Sequence, residues 1–209
     1  MKRRLIAAAI VLTFGPGASL AQTAGDDSKP LNPGAIRVTT RAPDPDKWVV
    51  QRNANGTQRI FRCKPLACPD PQAVSFVFLK SPTLHPDPKA LEKFAKEDLP
   101  KRIRAAGAAR EVMSDGTDKI ETLASATATL KGYPSVVNES KFSRGKRETF
   151  MQTAIIFAGP IMIRVQSSSA DRELAQKTMD QFIEIMRIEE GPPGPPPAQT
   201  KPSQSLQGT

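Results

Sequence analysis

The chain has few of the residues that carry most enzymatic chemistry: one histidine, one tryptophan, one tyrosine and two cysteines among 209 residues. A hydrolytic triad needs a nucleophile, a base and an orienting acid. The sole histidine, His85, lies in the loop-like Pro82-Thr83-Leu84-His85-Pro86, and no Gly-x-Ser-x-Gly is present. Zinc catalysis needs three side-chain ligands, and no His-x-x-x-His or His-Cys grouping supplies them. Glycoside hydrolysis needs two carboxylates across one cleft, often beside aromatic platforms that this chain supplies poorly. The pairs Glu97-Asp98 and Glu189-Glu190 therefore read as solvated helix ends. No Gly-rich phosphate loop, helix-turn-helix, zinc-finger or RNP pattern appears, which sets nucleotides and nucleic acid aside. The expectation is no catalytic residue, no cofactor and no metal.

Long apolar runs are also scarce. The longest, Leu5 to Phe14, is about ten residues, against the roughly 20 that span a bilayer. It follows the basic start Lys2-Arg3-Arg4 and precedes Gly15-Pro16-Gly17 and the small-ended Ser19-Leu20-Ala21. That order reads as a cleavable signal peptide over 1–21, cut after Ala21. Gln22, not cysteine, follows the cut, which argues against a lipoprotein. Arg3-Arg4 lacks the polar lead-in of a twin-arginine signal, so general secretion to the periplasm or medium is expected. The mature chain then has no transmembrane segment.

The signal holds three of the 30 basic residues and none of the 21 acids, leaving a formal charge of +6 on the mature chain. Such a balance suits an acidic partner and equally suits plain solubility. In an oxidising compartment Cys63 and Cys68 should pair. The spacing is not Cys-x-x-Cys, and Pro65, Pro69 and Pro71 stiffen the stretch, so the pair reads as a structural clasp worth about 2 kcal/mol.

Along the chain, 22–45 reads as a flexible leader with a short extended piece at Ile36–Thr39. Trp48–Arg52 and Thr57–Cys63 are β-type runs around Asn53-Ala54-Asn55-Gly56, whose Asn-Gly suits a tight hairpin. Ala73–Leu79 reads as a central strand. Asp87-Pro88 opens a helix as N-cap and first residue, with Leu91, Phe94, Ala95, Leu99 and Ile103 on one face as far as Gly107. Pro100 should kink or divide it. Arg110–Ser114 and Lys119–Leu130 read as strands paired around Asp115-Gly116, with Ala124, Ala126 and Ala128 making room for a helix. Tyr133–Ser143, Glu148–Phe157 and Ile161–Gln166 continue as strands. Capping residues Ser167–Asp171 then open a closing helix to about Ile188. The Gly/Pro-rich 189–209 reads as a disordered tail.

Short links between strands and two amphipathic helices imply an α+β fold over 46–188. We expect an antiparallel β-meander covered by two helices, a layered α/β/α sandwich. The residues Lys131-Gly132-Tyr133-Pro134 open one strand and Arg147-Glu148-Thr149-Phe150 the next; Ile161–Val165 feeds directly into 171–186. This arrangement over 73–188 resembles the Mog1/PsbP-like group, which includes small exported bacterial proteins of unknown role. The resemblance implies a non-enzymatic binding or assembly role, a fold-level analogy without a catalytic signature.

Two basic clusters remain: Lys101, Arg102 and Arg104 with Arg110, and Lys141, Arg144, Lys146 and Arg147 at a hairpin tip. Together at one end of the sandwich they would form an anion-attracting patch; apart, they are solvated charges. The leading reading is a monomeric exported protein that binds an envelope component or partner protein. The rivals are a hydrolase grouping His85 with Glu97 or Asp98, and an anionic-surface or polyanion binder acting through the basic clusters.

Overall fold

The computed structural model describes residues 36–191, apart from Pro69 and Leu84. The expected signal peptide and most of the expected leader and tail lie outside the described residues. Within them run β1 (Ile36–Thr39), β2 (Trp48–Arg52), β3 (Gln58–Cys63) and β4 (Ala73–Lys80). A helical segment follows as α1 (Pro88–Lys93), a π-helical turn (Phe94–Asp98) and α2 (Leu99–Met113). Then come β5 (Asp118–Leu130), β6 (Tyr133–Arg144), β7 (Arg147–Ala158), β8 (Ile161–Ser169), α3 (Arg172–Ile185) and β9 (Arg187–Glu190).

Seven strands form one antiparallel sheet in the order β2-β3-β4-β8-β7-β6-β5. The expected meander is thus two meanders, β2–β4 and β5–β8, joined by the helical segment and closed by the β4–β8 pairing. The hairpin turns follow local chemistry. Gly56, Gly132, Gly145 and Gly159 all have positive φ, and Asn53 accepts from the Gln58 amide at 2.9 Å.

One face of the sheet packs under α3. Alternate residues Phe61, Val74, Phe76, Phe78, Ala154, Ile156, Ile163 and Val165 meet Met179, Phe182 and Ile183. Phe182 is the hub: its ring stands 4.9 Å from Trp48, 5.0 Å from Phe61 and 6.1 Å from Phe76. Asp171 caps α3, accepting from the Leu174 amide at 2.8 Å. The helix ends at Ile185 rather than Ile188, because Met186 turns to an extended conformation and is fully buried.

Arg187–Glu190 then pairs with Ile36–Thr39 as β9 with β1. The folded unit therefore includes part of the expected leader and the first residues of the expected tail. Ile36 and Val38 sit in the main core, which explains why so short a strand is held.

The opposite face carries a smaller core, Leu91, Ala95, Val136, Ile155 and Phe157, under α1 and the π turn. Pro100 lacks a donor and crowds the preceding turn. The π turn just before it absorbs that misfit, so the helix is divided as expected but continues.

Three expectations fail here. Arg110–Met113 is helical, not a strand, and Asp115-Gly116 turns a helix into β5. Gly107 does not end the helix: a Cβ there would stand 3.3 Å from the Ile120 Cβ, so the missing side chain lets α2 settle onto β5. The alanine row does not serve that contact. A register shift between Thr122 and Ala124 turns Ala124, Ala126 and Ala128 to the other face, beside Glu139, Val137 and Ser135. Ala124 and Ala126 are exposed there.

Candidate functional site

Each helix covers only part of its face, so among the described residues the sheet has uncovered ground on both sides. Around α2 lies an open groove of about 450 Å³ lined by Arg104, Gly107, Glu111, Lys119, Glu121 and Lys141. It brings Arg104 of the first basic cluster together with Lys141 of the second, but acids of the same groove interleave with them. Lys141 sits between Glu148 at 3.2 Å and Glu121 at 3.6 Å, and these carboxylates, Glu148 foremost, hold its ammonium above the ordinary lysine range.

The other basic residues are largely engaged. Arg144 donates from Nε to the Asp118 carboxylate at 2.7 Å, and it lies over the Phe142 ring, as does Arg110. The hydrogen bond from Arg144 is the main cause holding the Asp118 carboxyl below the usual range. Lys101 meets Glu97 at 3.6 Å, and Arg102 lies over the Phe94 ring. Lys146 and Arg147 are exposed at the β6–β7 tip. The clusters approach one another around Phe142, but as a net of ion pairs.

On the α3 side an open groove of about 650 Å³ is lined by Glu139, Arg172, Glu173, Lys177, Asp180 and Glu184, among others. Arg172 and Glu139 form a two-pronged ion pair across it. His85 is exposed and lines neither groove, nor do Glu97 and Asp98. Among the described residues no cluster of three or more metal-ligating side chains occurs. Cys63 and Cys68 are joined as a disulfide with Cα atoms 6.1 Å apart. Their loop is tied back by the Lys64 amide, which donates to the Lys47 carbonyl at 2.9 Å.

The other bare region is the half-face of β2, β3, β4 and β8 opposite α3. Cross-strand partners share a face, so the registers give its residues directly. One row is Val49, Arg62, Ala73 and Ser168; the next is Gln51, Ile60, Ser75 and Gln166; the third runs Gln58, Val77 and Arg164. Its only formal charges are Arg62 and Arg164. The Nε atoms of both are buried without a hydrogen-bond partner among the described residues, as is Gln51 Oε1. Burial alone lowers the Arg164 guanidinium from its ordinary value.

Neither arginine stands out from composition or clustering. The signal available was strand parity: Arg62 follows Phe61, and Arg164 sits between Ile163 and Val165, so both point away from the α3 core.

No protein-family profile and no curated protein matches the sequence. Solved structures of similar architecture do exist. PsbP (CyanoP) from Synechocystis is 12% identical, covers 84% of this chain and all of its own, and has a TM-score of 0.44. LpqN of Mycobacterium tuberculosis, described as involved in cell envelope biogenesis, is 16% identical over 75% of this chain and 86% of its own, with a TM-score of 0.45. The Saccharomyces cerevisiae Ran-binding protein Mog1p is 10% identical over 82% and 95%, with a TM-score of 0.43. The likeness is one of architecture. It carries no residue roles. No helix among the described residues is long and apolar enough to cross a membrane.

Proposed function

We infer that the protein is exported by general secretion, cut after Ala21, and acts as a monomeric, non-catalytic protein that binds an envelope component or partner protein. The observation that carries this reading is where the polar groups lie. Both grooves are open and lined by interleaved carboxylates and cations, whereas most of a half-face of the sheet has no covering element among the described residues. Recessed, converging acid, base and nucleophile are what catalysis would require; broad uncovered sheet is what association uses. The Cys63–Cys68 disulfide supports an oxidising compartment.

Cell fractionation with affinity capture tests this reading. The expected result is a chain shortened by the signal, recovered outside the cytoplasm, that retains a defined envelope partner through washing. A full-length chain kept in the cytoplasm would contradict export; a purified chain that turns over ester or glycoside substrates would contradict the non-catalytic role.

The anionic-surface reading has one observation in its favour, the meeting of Arg104 and Lys141 in one groove. It requires binding to acidic vesicles that fades with salt. The hydrolase reading needs His85 beside Glu97 or Asp98, and none of the three lines either groove.

A further inference from the structure

The bare half-face has a pattern that its separate strands conceal. Val49 on β2, Ile60 on β3 and Val77 on β4 are each one strand and two residues on from the last, by the observed registers; the next step, Met162 on β8, already packs against the small core under α1 and the π turn. The first three form an open apolar diagonal about 16 Å long, from the usual strand spacing and rise. Beside it runs a parallel diagonal of Arg62, Ser75 and Arg164, with the two arginines about 16 Å apart on the same spacings. Gln51 and Gln58 flank the other side. No carboxylate belongs to this face of β2, β3, β4 or β8.

Burying a guanidinium nitrogen without an acceptor is destabilising, and the Nε of the half-buried Arg164 is in that position among the described residues. By contrast Arg59, buried on the α3 face, donates to the Thr40 carbonyl at 3.2 Å and to its hydroxyl at 2.9 Å. We propose that the β2-β3-β4-β8 half-face is the docking surface for an acidic, amphipathic segment of a partner protein. Its apolar side chains lie along Val49, Ile60 and Val77, and its carboxylates meet Arg62 and Arg164. This rests on the binding role proposed above and gives it a place and a partner chemistry.

A linear apolar track suits a polypeptide better than a lipid headgroup. Headgroups are gathered by cations that project together into solvent, whereas these two are half-buried and far apart. Carboxylates suit planar, two-pronged contact with guanidinium groups.

The test is fluorescence anisotropy of a labelled peptide of about 16 residues, built from Glu, Leu and Ala with an apolar stripe, titrated with the full chain. Its counterparts replace Glu by Lys, or Leu by Ser. The expected result is binding of the Glu/Leu peptide alone, weakened about tenfold by Arg62→Gln and again by Arg164→Gln, and unchanged by Lys146→Gln. Arg62 lies on the second strand in from an edge, so its variant keeps the test valid should Arg164→Gln fold poorly.

Absence of binding, equal binding of the Lys or Ser peptide, or indifference to both arginine variants would overturn the proposal. Phosphatidylglycerol vesicles bound with the same arginine dependence would assign the face to a headgroup instead. A concentration-dependent dimer abolished by Arg62→Gln would assign it to a second copy. A native envelope partner captured equally by wild type and the double variant would remove this face while leaving the binding role intact.

Discussion

The two sides of the β2-β3-β4-β8 half-sheet are built from the same strands and behave differently. Under α3 the alternate residues are aromatic and aliphatic, and the one buried cation, Arg59, has Thr40 as a partner. On the reverse, apolar residues share space with Arg62, Arg164 and three glutamines, and no helix among the described residues lies over Val49, Ile60 and Val77. The first side is organised for stability. The second carries a cost that stability does not explain, and that difference separates a core from a surface awaiting a partner.

The largest expected effect lies on the stable side. Phe182→Ala removes the ring shared by Trp48, Phe61 and Phe76 and should cost about 3–5 kcal/mol in urea unfolding. A loss under 1 kcal/mol would mean that α3 is not the anchor of that face.

Gly107→Leu tests the covered part of the opposite face. The side chain has no room above Ile120, so α2 must lift from β5 at a cost of about 1–3 kcal/mol. A neutral result would show that the helix approach is loose. Arg59→Met strands the Thr40 acceptors and should cost a similar amount, about 1–3 kcal/mol, measured by the same unfolding curve.

Asp118 gives a smaller, pH-dependent effect. Its folded-state pKa is depressed, chiefly by Arg144, so its stabilisation is present above the unfolded carboxylate value, about 4, and is lost as pH falls through the lower folded value. Asp118→Asn should flatten that acid limb of the stability curve, and an unchanged limb would assign it to other carboxylates.

Much of this architecture is legible in the sequence, for local reasons. Asn53-Ala54-Asn55-Gly56 fixes one hairpin, Asp171 fixes a helix start, and the apolar, β-branched run Ile161–Val165 marks a strand. What was hidden depends on partners distant in the chain. β1 and β9 are four residues each and exist through pairing with one another over the core. The continuation of α2 past Gly107 depends on the close approach to Ile120 that a glycine permits, and the alanine row changes face through a bulge that alternation alone does not reveal.

The candidate site follows the same rule. The clusters dense in sequence, around Lys101–Arg104 and Lys141–Arg147, are mostly engaged by carboxylates and rings once folded. Arg62 and Arg164, a hundred residues apart, have no such partners among the described residues. Isolation in sequence hid them, and register brought them to one face.

The claim that Arg164 is kept for something other than stability is tested most directly by the urea unfolding of Arg164→Met beside Arg59→Met. Removing a half-buried charge without a partner among the described residues should leave stability equal to wild type or above it, while Arg59→Met falls below. A loss in Arg164→Met as large as that in Arg59→Met would contradict the account, because Arg164 would then be part of the fold's own support.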